Sequence, residues 1–189
     1  MKLLVDCGFS NGCFSRRILN RQKALGEDLS TWRVYGFEPN SEFYADKWDE
    51  FRRDFPEVTA DIQPVAAWVE DEKVRYNFCI SKASNFVAGV KFSSLPSGRK
   101  SFKMIPAIDL TKWLEGIASG YTHFVLKMDI EGAEFYVLPK LQASYVCRLL
   151  DEVYVEYHER VNPAAFKPIK RQLLDWWAAH SNIKHTKWR

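Results

Sequence analysis

Val5-Asp6-Cys7-Gly8-Phe9-Ser10-Asn11-Gly12 is the stretch on which the fold turns. It starts inside an apolar run, Leu3 to Asp6, that reads as a first strand ending in an acid. Gly8 and Gly12 then bracket a short polar turn, and a helical pattern follows with Phe14, Ile18 and Leu25 on one side. Strand, glycine turn and helix in immediate succession are the opening of an α/β unit, and the remaining sequence repeats that rhythm.

Arg33 to Glu38 reads as the second strand, stopped by Pro39. A helix follows in which Tyr44, Trp48, Phe51 and Phe55 recur at spacings of four, three and four, so that they share one buried face. Residues 58–69 supply a third strand around Ile62 to Val69. From 73 to 106 the pattern changes to short alternating stretches, Val74 to Phe78 and Phe102 to Ile105, which read as a β-rich insertion with a loop at Ser97-Gly98. Asp109 stands where the N-cap of a helix carrying Trp113, Leu114 and Ile117 belongs, with an end near Gly120. Phe124 to Met128 is a continuous apolar strand interrupted only by Lys127, and a helix is expected from about Glu131. Val153 to Tyr157 is another strand. Pro163 opens a long helix with Phe166, Ile169, Leu173, Trp176 and Trp177 facing in, and Ile183 to Trp188 suits a short edge strand. The expectation is a single α/β domain over 1–189 with a mostly parallel, doubly wound sheet and helices on both faces.

Composition excludes several classes. Hydrophobic residues make up 47% and charged residues 27%, an ordinary globular balance. Lys plus Arg, 27, against Asp plus Glu, 24, leaves a formal net charge of +3. That is too mild to announce a nucleic-acid or acidic-membrane partner. No apolar run approaches the ~20 residues of a membrane span. The apolar start meets Asp6 too early for a signal-peptide core. Cys7, Cys13, Cys79 and Cys147 form no CxxC pair, and reduced thiols in a cytoplasmic setting are expected.

Four clusters carry chemistry. The first is the opening turn itself. Its glycines stand four apart, which is not the G-x-G-x-x-G spacing of dinucleotide sites. A pyrophosphate is disfavoured beside Asp6, whereas a ligand with a positively charged amino group, such as the methionine portion of S-adenosylmethionine, is favoured. A tight strand-to-helix turn without any ligand uses the same residues. The second is Glu38, an acid at the end of the second strand, where ribose hydroxyls are held in doubly wound folds; a surface glutamate capping a turn is the plainer reading. The third is Lys127-Met128-Asp129-Ile130-Glu131-Gly132-Ala133-Glu134. Acids in a first helical turn are favoured by the helix dipole alone, which accounts for Glu131 and Glu134. It does not account for Lys127, which needs an anionic partner when buried: Asp129 or an acid of a neighbouring strand. The fourth is Glu156 and His158, on one face at the end of the next strand. Histidine titrates near pH ~6.5 and can act as a general base; a lone histidine is more often structural, and the strand-end placement beside other acids favours the catalytic role.

Taken together, these residues resemble the FkbM family of methyltransferases. The likeness rests on Val-Asp-x-Gly-x-x-x-Gly, Tyr-Gly-Phe-Glu-Pro-Asn, Pro-Val-Ala-Ala-Trp, Val-x-Val-Glu-Tyr-His and, most specifically, Leu-Lys-Met-Asp-Ile-Glu-Gly-Ala-Glu-Phe-x-Val-Leu. It runs from about Lys2 to His158. The resemblance implies a Rossmann-like class I methyltransferase fold, S-adenosylmethionine as methyl donor, and O-methylation of a sugar or polyketide hydroxyl. Carried onto this chain, Asp6, Gly8, Ser10, Asn11 and Gly12 would hold the methionine end, Glu38 the ribose, Ala67 and Trp68 the adenine, and Asp129 would lie by the transferable methyl.

His158 or Asp129 is then the expected base, with Lys127, Glu131, Glu134, Glu156 and Asn85 expected to contact a sugar or glycan acceptor. Alternatively Mg²⁺ on Asp129 and Glu156 acidifies a coordinated diol. No separate N-terminal lid is expected, so specificity would come from the 73–106 insertion, the strand ends or a second subunit in a homodimer. Competing functions are an NAD-dependent oxidoreductase, a methyltransferase acting on nucleic acid or another small molecule, and a non-catalytic cofactor-binding module. The only hint of a basic stripe is Lys184, His185, Lys187 and Arg189. Trp48, Trp113, Trp176 and Trp177 fall on helical apolar stripes and are expected in the core or a dimer contact rather than on sugar rings.

Overall fold

A computed structural model describes residues 1–78, 86, 87 and 101–188, and of residues 77, 78, 86, 87, 101 and 102 only the backbone. In chain order the elements are β1 (Lys2–Cys7), α1 (Cys13–Ala24), β2 (Trp32–Phe37), α2 (Ser41–Asp54), β3 (Thr59–Gln63), β4 (Ala66–Trp68), β5 (Glu72–Phe78) and β6 (Phe86–Val87). They continue with β7 (Ser101–Asp109), α3 (Leu110–Ile117), β8 (His123–Met128), α4 (Glu134–Ala143), β9 (Glu152–Val155), α5 (Pro163–Ala179) and β10 (Lys184–Lys187).

The main sheet has six strands in the order β10-β9-β8-β1-β2-β3. Every pairing in it is parallel. Such a sheet is buried on both faces, and its strands alternate between two cores. Leu3, Val5, Cys7, Leu126, Met128, Val153 and Val155 meet Leu114, Phe135, Phe166 and Trp177 from α3, α4 and α5. Leu4, Val34, Val125 and Tyr154 meet Phe14, Ile18, Trp48 and Phe51 from α1 and α2 on the other side. The helices thus cover both faces, as the rhythm of the sequence predicts. The four tryptophans fall as the stripes predict: Trp48 and Trp177 are buried, and Trp113 and Trp176 pack on the core. Leu25 is the exception, lying exposed beyond the end of α1.

The stretch 58–69 is not one strand. β3 closes the edge of the main sheet, and β4 belongs to a second sheet in the order β4-β7-β5-β6. Pro64 interrupts the run between them, at a position where the missing N–H would break a ladder. The long β5–β7 pairing, Glu72 through Phe78 against Ser101 through Ala107, is antiparallel. The alternating pattern between 73 and 106 therefore marks a real sheet, but one that begins earlier, at Ala66.

Asp109 caps α3 as expected: its Oδ1 accepts the Lys112 N–H at 3.2 Å, and its Oδ2 pairs with Lys140 at 2.6 Å. Asp109→Ala should lower stability by ~0.5–2 kcal/mol, a fall of a few degrees in thermal midpoint. Asp109→Asn should keep most of that, because a half-exposed ion pair contributes little. Equal losses in both variants, measured by thermal unfolding, would assign the effect to the ion pair instead.

The chain runs from β1 to β2 and β3 on one side, and from β8 to β9 and β10 on the other. The order reverses between β1 and β8. In open α/β sheets that reversal opens a crevice at the carboxyl ends of the strands, where ligands bind. No helix among the described residues is long and apolar enough to cross a membrane.

Candidate functional site at the strand carboxyl ends

A cavity of about 300 Å³ lies at that reversal. Residues following β1, β2, β8 and β9 line it, together with Ala66, Ala67 and Tyr76 from the second sheet.

The turn after β1 is held from three sides. Phe37 O accepts the N–H groups of Gly8 (2.9 Å) and Phe9 (3.1 Å), and Ser10 O accepts from the Trp48 indole at 3.0 Å. Gly8 has φ +78°, and a Cβ there would sit 1.9 Å from Asp129 O. The loop after β1 therefore rests directly on the loop after β8, an approach only glycine permits. Gly8, Ser10 and Asn11 line the cavity. Gly12 does not: a side chain at Gly12 would meet the Phe9 and Phe51 rings, so this glycine serves packing rather than ligand contact.

Asp6 also lies behind the cavity wall. In the parallel register it pairs with Lys127, and its Oδ1 is 3.1 Å from Lys127 Nζ while its Oδ2 accepts from Ser15 Oγ at 2.7 Å. Lys127 further donates to the carbonyls of Cys7 (3.2 Å) and Gly8 (2.7 Å) and lies 3.5 Å from Asp129. The lysine expected to reach substrate is thus a buried brace at the cavity floor. Burial pushes the Asp6 carboxyl up against the opposing pull of Lys127 and Ser15.

Glu38 lines the cavity where the sequence puts it. Its oxygens accept one backbone N–H each, from Ser10 at 3.0 Å and Asn40 at 2.9 Å, and burial raises its pKa despite them. Ala67 is on the wall. Trp68 is not, its indole donating to Glu72 at 2.9 Å and its ring packing on Tyr136. Asn85 lies outside the described residues, as does the loop at Ser97-Gly98.

The third and fourth clusters meet across β8 and β9. The helix expected from Glu131 begins only at Glu134, because Glu131 and Gly132 adopt left-handed φ of +55° and +99°. That turn points Glu131 into the cavity rather than along a helix end. Glu134, expected to touch substrate, is fully buried instead. Its Oε2 accepts the Gly132 N–H at 2.8 Å; its Oε1 accepts the His158 N–H at 2.7 Å and lies 3.1 Å from His158 Nδ1. This fixes the imidazole with Nε2 toward Glu156 (3.5 Å), Glu131 (3.6 Å) and Asp129 (3.8 Å).

Burial opposes a charge on His158. The Glu134 hydrogen bond and the charges of Glu134, Glu131 and Asp129 outweigh it and push the imidazole up to about 9. Glu131 is pushed up to about 7 by burial and by its acidic neighbours, against the pull of His158. That shift favours the protonated imidazole near neutral pH and weighs against His158 as a resting general base. Arg160, Tyr76 and Trp188 also line the cavity and were not anticipated. Arg160 lies two residues past His158 and was within reach of the same strand-end argument, whereas Tyr76 and Trp188 arrive from distant elements.

The hinted basic stripe is partly spent within the fold: Lys184 pairs with Glu152 at 2.8 Å, and His185 lies 3.2 Å from the Tyr157 hydroxyl. Comparison with known proteins finds no matching family model, no matching curated sequence and no matching solved structure.

Proposed function

We propose that this chain is an S-adenosylmethionine-dependent O-methyltransferase acting on a hydroxyl of a sugar or glycan, with the fold of the class I enzymes. The observation that carries this reading is the division of one cavity into two halves. A glycine turn and Glu38 form one half. Asp129, Glu131, Glu156 and His158 form the other.

The first half suits a nucleoside donor. Each Glu38 oxygen accepts one N–H and retains a lone pair for a ribose hydroxyl. The bare Gly8 backbone leaves room beside it, and Ala67 offers an apolar wall for a base. A cavity of about 300 Å³ is at the small end of the ~300–1,000 Å³ range of ligand sites. The pyrophosphate of a dinucleotide would face four carboxylates, Glu38, Asp129, Glu131 and Glu156. That disfavours the nicotinamide alternative, and the internal pairing of Lys184 and His185 disfavours a nucleic-acid acceptor.

Bound there, the donor supplies a methyl group already activated on a sulfonium. The protein's part is to align an acceptor oxygen and take its proton. Asp129 sits between the two halves, against Gly8 on one side and His158 on the other. Asp129 or Glu131 accepts the single hydroxyl proton, and Glu156 holds a neighbouring hydroxyl. His158 steadies the carboxylates, and Lys127 keeps the two loops in register.

Calorimetry with S-adenosylmethionine, S-adenosylhomocysteine and NAD tests the donor. The first two are expected to bind and NAD is not. Glu38→Ala removes charge-assisted hydrogen bonds of ~1.5–3 kcal/mol, so affinity should fall roughly 10- to 100-fold. Absence of any S-adenosyl binding to the folded protein sinks the reading. Mass spectrometry of products on a panel of sugars, glycans and polyketide alcohols then identifies the acceptor.

A further inference from the structure

Three ligand-type atoms at the ends of β8 and β9 face one another: an Asp129 oxygen, a Glu156 oxygen and a His158 ring nitrogen, all within 4.8 Å. Ligands bonded at ~2.0–2.2 Å around one ion stand roughly 3–4 Å apart. His158 Nε2 is 3.5 Å from Glu156 and 3.8 Å from Asp129, within that range and beyond a good hydrogen bond.

A second observation concerns how the imidazole is held. The His158 side chain is only 3% exposed, and its Nε2 makes no hydrogen bond among the described residues although it is aimed into the space between the acids. Its other nitrogen is held by the fully buried Glu134. A carboxylate behind an imidazole, with the far nitrogen presented to an open space, is how metal-binding histidines are oriented.

We infer that Asp129, Glu156 and His158 form a binding site for one divalent transition-metal ion. Three protein ligands leave further positions open to water or to substrate oxygens, as in catalytic rather than structural centres. The sequence suggests Mg²⁺ from the carboxylates alone. The buried imidazole changes the class, because Mg²⁺ takes oxygen ligands and keeps its water, while Mn²⁺ and Zn²⁺ accept nitrogen beside carboxylate. Glu131, 3.6 Å from His158 Nε2, is not required as a ligand and stays available to a substrate proton. The site rests on these side chains and not on the identity of the methyl donor; an acceptor diol on the ion is the use that the proposed function would give it.

The test is titration of the metal-stripped full chain with Mn²⁺, followed by the loss of the free-ion paramagnetic resonance signal. One Mn²⁺ per chain is expected, displaced by Zn²⁺ and not by a large excess of Mg²⁺. Glu156→Gln and Asp129→Asn, each checked for an unchanged circular dichroism spectrum, should weaken binding at least tenfold. Glu134→Gln, which removes no ligand but loosens the hold on the imidazole, should weaken it ~10- to 100-fold with an unchanged circular dichroism spectrum. No stoichiometric binding to the folded protein, or binding indifferent to Glu156→Gln and Asp129→Asn, overturns the inference. Displacement by Mg²⁺ at comparable concentration overturns the choice of ion class. None of these outcomes touches the calorimetry of S-adenosylhomocysteine, so the two readings fail separately.

Discussion

Replacing Lys127 with methionine is expected to lower the unfolding free energy by ~3–5 kcal/mol, the range for breaking a buried ion pair from one side. Lys127 and Asp6 face each other across β1 and β8 with almost no exposure. Without the ammonium, Asp6 keeps only Ser15 as a partner and lies in a site no water reaches. The carbonyls of Cys7 and Gly8 lose a donor as well. Against a total stability of ~5–15 kcal/mol, the variant should be marginal. A thermal midpoint lower by some 6–20 °C follows at ~2–4 °C per kcal/mol. The double variant Asp6→Asn with Lys127→Met should recover part of the loss, because it strands no charge. If urea unfolding shows the single variant within ~0.5 kcal/mol of the parent, a range usual for surface changes, the brace is not structural.

The second large effect is expected at Gly8. Gly8→Ala places a methyl group on a residue with φ +78° and 1.9 Å from Asp129 O. The left-handed backbone costs ~1–2 kcal/mol for any residue with a Cβ. The overlap adds ~1–3 kcal/mol, because two backbone segments must separate rather than one side chain rotate. Gly26 supplies the control: its φ is +79°, and nothing lies within 4 Å of a Cβ there. Gly26→Ala should therefore show the backbone cost alone. The excess of Gly8→Ala over Gly26→Ala measures the loop contact directly, and equality of the two would mean that the loops do not touch. Separating them also pulls Asp129 away from the donor half of the cavity, so S-adenosylhomocysteine affinity should drop at least tenfold in Gly8→Ala and not in Gly26→Ala.

Both predictions concern contacts that the sequence hints at without specifying. A lysine inside the apolar run Phe124 to Met128 demands a partner, and the demand is readable from the residue alone. Which acid answers it depends on the register of β1 against β8, set by packing over the whole sheet. His158 was likewise legible as a strand-end histidine. Its charge was not, because that comes from Glu134, twenty-four residues earlier in the chain and brought to it by α4. The misplaced start of α4 has a local cause: Glu131 takes a left-handed conformation that sequence pattern assigns to glycine or asparagine, and here it serves the cavity. Such departures from local preference concentrate where a site is built. The run from 58 to 69 was misread for a different reason. Pro64 marks the break between β3 and β4, but which sheet each one joins is set only by the tertiary pairing.

What the amino-acid sequence determined by itself is the alternation of strand and helix, the two-faced burial of the strands, the acids at their ends and the place of the glycine turn. These depend on period and on neighbouring residues, which act over a few positions of chain. Only the tertiary structure decided that Asp6 belongs to Lys127, that Glu134 belongs to His158, that Gly12 and Trp68 serve packing, and that Asp129, Glu131 and Glu156 converge on one imidazole. Those outcomes depend on register and on crossovers between distant segments. The free energy that selects them is spread over two cores and is not carried by any single stretch of sequence.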